Sequence, residues 1–586
     1  MKIISGGTTD YRIVIPECPT QSERFAADEL AKYFFRITGV SMTVCDENAP
    51  LWDKEIVIGR AGIMDSGIDF PELGEEGYAL KSLDEKFYIA GGTRGVIYGV
   101  YSLLEDLLGC GFFAPDCECV PKLEELSLPE TDIKIIPVFS FRDAYWHSAF
   151  DTDYAVKRKL NNASGRPIPD SCGGGVSYAG SFVHTFNHLV DPDIYFESHP
   201  EYYGLTESGE RKPYQLCLSN HKVFDTALES VKKLLRENPG ARIISVSQND
   251  GGNPCVCPAC SAFDRDHGGT PSASIINFAN MIAEAIENEF PDVLVDTLAY
   301  QYSRSAPEGI VPRENVIVRL CSIECCFSHP IDDCRRTARV AWDSAVSKKS
   351  FPEDLNEWGL ICKHIHIWDY TTDYSHYLSV FPNFNVLRQN VGFFADNSAV
   401  GIFEQGNYSS ISGEFGELKA YLLSRLLWNP YMTEGEYSGY IDTFCNAYYG
   451  AGGKYIREYI DFCHSRARDV HFGINHDPLA IIPYETESDK YAGESFLKIA
   501  EELFDSAMKA SDDEIIRSRI AKSAVQLVYY GALLDDKRQN HERLEAANRI
   551  LYDLLMKFGI THISEWGHLR PENEIDFTKS PVYFMG

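Results

Sequence analysis

A carboxylate and three thiols crowd into residues 241–260, ARIISVSQNDGGNPCVCPAC. Ile243, Ile244 and Val246 give the first half the character of a short buried strand, which stops at the turn Asn249-Asp250-Gly251-Gly252. Asp250 therefore stands at a strand's end. A carboxylic acid in that place can protonate a leaving oxygen, as glycoside hydrolysis requires, if a second group stabilises or attacks the anomeric centre. The carboxamide of Asn249 is suited to hold and orient a substrate acetamido group, and Asn-Asp-Gly is also an ordinary turn whose side chains cap backbone amides. Cys255, Cys257 and Cys260 follow as C-x-C-x2-C. Thiolates at this spacing are zinc ligands, but a structural zinc takes four, and no second pair follows in the chain. Cys217, Cys321, Cys325, Cys326 or Cys334 would have to complete the set through space. Packed, reduced thiols are the reading that asks for least, and the hydrolytic chemistry needs no metal or other cofactor.

Other reactive groups recur just past apolar runs. Glu324 in VIVRLCSIECC and Glu404 in VGIFEQGN are the candidates for the second carboxylate; the plain alternative for either is an ion pair to an arginine such as Arg142 or Arg319. Trp146, His184, Tyr302 and the run Trp368-Asp369-Tyr370 are the candidate substrate-binding side chains. Flat aromatic rings with polar edges suit sugar faces, though core packing explains any one of them singly. Their shared position at strand ends is what favours a binding wall.

The element that brings such scattered residues to one place is a parallel barrel, whose catalytic groups sit at the C-terminal ends of its strands. Strands are predicted at 139–146, 180–186, 213–218, 242–249, 293–302, 315–322, 364–370 and 400–405, with helices at 223–237, 273–289 and 413–427. This is the count of a (β/α)8 TIM barrel, assigned to residues 136–430. Before it, residues 1–135 alternate strands and helices as a small α/β domain. After it, residues 431–586 carry amphipathic helical patterns at 434–448, 454–468, 493–510, 513–533 and 541–558. No reactive cluster stands out in this last part, so packing or homo-oligomerisation is its expected role.

At 586 residues the chain needs more than one core. With 54 basic and 86 acidic residues its net charge is −32, a field that repels nucleic acids and anionic membrane surfaces. The 17 cysteines are an odd number spread over a large chain, which suits reduced thiols better than a secreted disulfide framework. The start, MKIISGGTTDYRIVIPE, shows no signal peptide, and no apolar run is long enough to span a membrane. A cytoplasmic location is the expectation, although a chain stripped of its leader would read the same. Walker, GxGxxG and HExxH patterns do not stand out.

The run GGTRGVIYGVYSLLEDLLGCGFFAP resembles the small domain that precedes the barrel in α-glucuronidases and β-hexosaminidases. Together SQNDGGNPCVCPAC, LAYQYSR, VIVRLCSIECCFSHP, HIWDYTTDYSHYL and GIFEQGNY resemble a bacterial family, domain-of-unknown-function family 4838, part of which is classed as glycoside hydrolase family 163. That resemblance implies a retaining, substrate-assisted endo-β-N-acetylglucosaminidase acting on N-glycan-derived oligosaccharides. It implies Asp250 as acid, with Asn249 or a nearby carboxylate such as Glu324 orienting the acetamido group. An inverting α-glucuronidase-like hydrolase with Asp250 as acid and Glu324 as base, or a catalytically silent carbohydrate-binding barrel, are the alternatives.

Overall fold

The computed structural model describes residues 1–334, 349–482 and 496–586. The chain forms two compact units, Met1–Arg142 with Ser148–Gly175, and Asp143–His147 with Val176–Gly586.

The first unit is built on a six-stranded mixed sheet. Its order is Asp132–Ile135, Tyr78–Leu83, Lys86–Gly91, Glu55–Ile58, Arg12–Ile15, Val44–Asp46. The helix Gln21–Thr38 buries Ala26, Leu30, Tyr33, Phe34 and Ile37, the face its periodicity predicts, and is bounded by a Thr20/Glu23 capping box and by Gly39 at φ 76°. The glycine-rich run serves backbone packing: a Cβ on Gly92 would lie 1.8 Å from the Gly74 carbonyl oxygen, and one on Gly95 1.9 Å from that of Gly77. Only glycine fits either place. Below them the buried Glu76 binds Arg94 and Arg142, both at 2.5 Å.

The second unit carries the barrel. Its sheet runs Phe141–Tyr145, Ala399–Gln405, His364–Tyr370, Val316–Cys321, Leu294–Ala299, Ile243–Ser245, and the pairs from Ile243–Ser245 through Ala399–Gln405 are parallel. The fold is of the (β/α)8 class, with six regular strands as a curled sheet. The strand predicted at 180–186 is instead an irregular segment alongside Ile243–Ser245, joined by one parallel bridge at Tyr178 and by bonds such as Ala179 N to Ile243 O, 2.8 Å, and Thr185 N to Ser247 O, 3.1 Å. Gly180 and His184 both take positive φ there, which ends regular pairing. The strand predicted at 213–218 is observed as Arg211–Leu216, but it pairs antiparallel with Tyr203–Leu205 and stands outside the parallel sheet.

The outer layer includes His221–Glu237 and Ser272–Ile286, whose Val223, Val231, Leu235, Phe278 and Ile282 pack with Ile244, Val246 and Val295. Beyond Trp428 come Glu434–Tyr449, Gly453–Ala467, Phe496–Lys509, Glu514–Ser523, Val525–Lys537 and His541–Phe558. The helix predicted at 513–533 is divided at Ala524, and the predicted start at 493 lies outside the described residues.

Candidate active site

Strand parity decides which side chains reach the barrel's interior. Tyr178, Asp296, Arg319, His366, Trp368 and Phe403 fall on one face of the sheet. Arg319 is bound by Asp296 and lies 4.1 Å from the Phe182 ring centroid. Phe182, Trp368, Phe403 and Tyr145 form a continuous aromatic wall, with centroid separations of 4.7 to 5.8 Å.

Asp250 stands at the rim, exposed, in the loop after Ile243–Ser245. Its Oδ1 accepts the Tyr300 hydroxyl at 3.1 Å and the Gly251 amide at 2.8 Å. Burial, then the charge of Asp250, raises the Tyr300 pKa, so the phenol keeps its proton and remains a donor. His184 completes this side: its Nδ1 bonds the Gln248 carbonyl at 2.9 Å and its ring lies 5.9 Å from that of Tyr300.

The carboxylate that shares electrostatics with Asp250 is Glu565, from the segment after the last long helix. A backbone bond from its amide to the Tyr374 carbonyl, 2.8 Å, fixes the segment against the barrel. Its Oε1 accepts the Gln405 amide at 3.1 Å and the Tyr408 hydroxyl at 3.0 Å. Gln405 is itself oriented, because its Oε1 accepts the Trp368 indole N–H at 2.8 Å. Burial pushes the Glu565 carboxyl above the ordinary carboxylate range; the Tyr408 and Gln405 bonds pull it down, and the charge of Asp250 pushes it up again. A carboxyl disposed to keep a proton is thus tied through Gln405 to Trp368 of the aromatic wall and feels the charge of Asp250. Sequence reasoning missed Glu565 and assigned no chemistry to its part of the chain; the one signal was an acid beside a tryptophan in a non-helical stretch, SEWGH.

The other predicted residues separate into distinct places. Asn249 is committed to the backbone: its Nδ2 donates to the Tyr214 carbonyl at 2.8 Å and its Oδ1 accepts the Asn187 amide at 3.0 Å. It shapes the loop, as the turn reading held, in place of orienting an acetamido group. Glu324 is 1% exposed and bound to Arg304 at 2.9 Å, with Asp354 on the same guanidinium at 2.8 Å. It is the buried ion pair weighed above, with a different arginine, and its charge, like that of Asp250, acts on Tyr300. Trp146 is fully buried, its indole donating to Thr371 Oγ1 at 3.0 Å and its ring filling the space that the missing side chain of Gly406 leaves. Tyr302 is buried behind the sheet, lining a small cavity with Phe186, Leu216, Cys260 and Asp264.

Asp369 and Glu404 are register partners on the face opposite Trp368 and Phe403. Both are buried, Ser322 Oγ donates to Asp369, and neither oxygen of Glu404 has a hydrogen-bond partner among the described residues. Burial raises the pKa of each, Asp369 to about 6 and Glu404 further, where the charge of Asp369 adds to it. Parity removes them from the mouth. Trp368 stays at the wall, and Tyr370, two residues on and on the same face, is buried beside it, its ring 6.2 Å from that of Trp368 and 6.0 Å from that of Tyr374.

Comparison with known proteins agrees with this architecture. Residues 10–103 match the N-terminus of glycosyl hydrolase family 67. Among solved structures the chain is similar to a family GH115 4-O-methyl-α-glucuronidase with specificity for decorated arabinogalactans, at 12% identity and TM-score 0.55 over 100% of this chain and 80% of that one. It is also similar to a family 89 glycoside hydrolase from Clostridium perfringens, at 12% identity and TM-score 0.50 over 91% of this chain and 65% of that one. No curated protein sequence matches it. The fold is thus one that glycoside hydrolases use, and since residues 112–461, more than half of its length, match the family described as Domain of unknown function (DUF4838), the chain belongs to that family.

Proposed function

We propose that the protein is a glycoside hydrolase that cleaves a β-linked N-acetylhexosaminide within N-glycan-derived oligosaccharides, retaining configuration with the sugar's own acetamido oxygen as nucleophile. The observation that carries this is Glu565, bonded to Gln405 and Tyr408 beside the aromatic wall, its pKa raised by burial and by the charge of Asp250. Glu565 holds the proton that goes to the leaving glycosidic oxygen, since burial and a neighbouring negative charge both favour its protonated form. As the bond to the leaving group breaks, the acetamido carbonyl oxygen attacks the anomeric carbon from the opposite face. Asp250, held in place by the Tyr300 hydroxyl that donates to it, accepts the acetamido N–H. Water then opens the cyclic intermediate, with Glu565, now ionised, taking its proton. Trp368 and Phe182 supply apolar faces for the ring, and Trp566, 75% exposed next to the acid, offers another.

An inverting α-glucuronidase-like mechanism draws no support from Glu324, which is spent on Arg304, or from Arg319, which is spent on Asp296. The test is a chitobiose-core N-glycan digested with the whole protein, the released sugar followed by mass spectrometry and its anomer by proton NMR. A β-anomeric first product and competitive inhibition by a GlcNAc-thiazoline are expected. An α-anomeric first product, or indifference to the thiazoline, overturns the mechanism.

A further inference from the structure

We propose that Cys217, Cys255, Cys257 and Cys260 hold one zinc ion as a four-thiolate structural site. The four sulfurs are buried and lie within 4.8 Å of one another. Buried cysteine is commonplace, so burial alone says nothing; convergence of four sulfurs on one point is what a metal explains. A tetrahedron with Zn–S bonds of about 2.3 Å has S···S edges of about 3.8 Å, and the Cys217 and Cys257 sulfurs are 3.7 Å apart. No disulfide uses any of them.

The surroundings suit thiolates. The Leu205 amide donates to Cys255 Sγ at 3.3 Å and the Cys260 amide to Cys257 Sγ at 3.5 Å, with Cys257 as the N-cap of helix Pro258–Asp266. Arg211 Nη1 stands 3.8 Å from Cys255 Sγ, a cation that offsets part of the negative charge of a four-thiolate zinc cluster. The ligands come from two places in the chain. Cys217 closes the hairpin Tyr203–Leu205/Arg211–Leu216, and the other three follow the Asp250 loop. Between them, Gln215 and Asn249 exchange bonds: Asn249 N to Gln215 Oε1 at 3.0 Å and Gln215 Nε2 to Asn249 O at 2.9 Å. The metal would tie the far end of the loop that presents Asp250 to the hairpin whose Gln215 holds the loop's beginning.

A second cluster carries the same inference independently. Donor atoms of Cys326, His329, Cys334 and His471 also lie within 4.8 Å of one another. His329 Nδ1 is 3.4 Å from Cys326 Sγ and His471 Nδ1 is 3.4 Å from Cys334 Sγ. His329 Nε2 bonds the Arg468 carbonyl at 2.8 Å; the N–H must be on that nitrogen, which turns the Nδ1 lone pair toward the cluster. We propose a two-sulfur, two-nitrogen zinc site there.

The experiment is metal analysis of the full-length protein, purified without chelator and again after incubation with zinc and desalting. Two zinc ions per chain are expected, one in Cys217→Ser, one in His471→Ala and none in the double variant. Because a variant can lose metal by misfolding, wild-type protein is also titrated with a mercurial thiol reagent while a chromogenic chelator reads zinc release. Release in step with thiol modification supports the sites. Cobalt in place of zinc is expected to show intense sulfur-to-metal charge transfer, reduced but present in Cys217→Ser. Absence of zinc after reconstitution, stoichiometric iron instead, or unchanged zinc in Cys217→Ser would overturn the four-thiolate proposal. Unchanged zinc in His471→Ala would overturn the second.

Discussion

The charge of Asp250 acts on Glu565, and the direction is measurable. The Glu565 pKa is raised by burial and by the Asp250 charge, so it stays protonated to higher pH than an ordinary carboxyl, and an acid-catalysed rate falls as pH rises through that raised value. Glu565→Gln is expected to lower kcat by about 10²- to 10⁴-fold and to flatten the alkaline limb of the pH–rate profile; a limb that persists in this variant belongs to another group. Asp250→Asn removes the neighbouring charge, so whatever activity remains should lose its alkaline limb at lower pH than the wild type. Tyr300→Phe deletes the 3.1 Å bond to Asp250. A hydrogen bond to a charged group is worth about 1.5–3 kcal/mol, so kcat should fall about 10- to 100-fold while thermal stability stays close to that of the wild type. A large loss of stability instead would make Tyr300 a scaffold residue.

Among the elements, the His364–Tyr370 and Ala399–Gln405 strands carry their acids on the wrong face for catalysis, and this has a stability signature. Asp369, from an ordinary 3.8, is raised to about 6, and Glu404 is raised further. The folded state therefore binds more protons than the unfolded chain, so their contribution is fully present below the ordinary carboxylate range and is lost as pH rises through about 6 and beyond. Glu404→Gln, neutral at every pH, should raise the melting temperature more at pH 8 than at pH 5; an equal change at both would show that Glu404 does not titrate in this window. The same pair shows what the sequence carried. The six regular barrel strands were legible from their apolar runs, because burial of a parallel strand leaves a local pattern, and so was the place of Asp250 in the turn that follows one of them; its expected role as acid passes, in the proposed mechanism, to Glu565. Parity was legible too, since Asp369 and Glu404 each follow an inward aromatic, but position at a strand's end was weighed without it. The hairpin at Arg211–Leu216 and the irregular segment before His184 were not separable from barrel strands, because partner choice is decided by tertiary contacts. The backbone bonds of Asn249 were not legible, because its partners, Tyr214 and Asn187, lie in other segments.

For the whole molecule, the helical part is continuous with the catalytic one. Glu565 meets Gln405 across 160 residues of chain, and the same segment is fastened by Tyr377 N to Ile563 O and Glu565 N to Tyr374 O, both 2.8 Å. Deleting residues 560–586 is expected to abolish turnover while leaving the far-ultraviolet circular dichroism of barrel and helices largely intact; retained turnover would remove Glu565 from the mechanism. No periodicity announces such a residue, since it belongs to neither a strand nor a long helix and acts only where the tail returns to the mouth. The return also sets an order in time. Strands of the barrel leave the ribosome and pair with near neighbours while Glu565 has yet to be made, so the aromatic wall forms before the proposed acid. On the proposed mechanism, a chain in synthesis would hold a glycan without cutting it and would become an enzyme only when its tail docks.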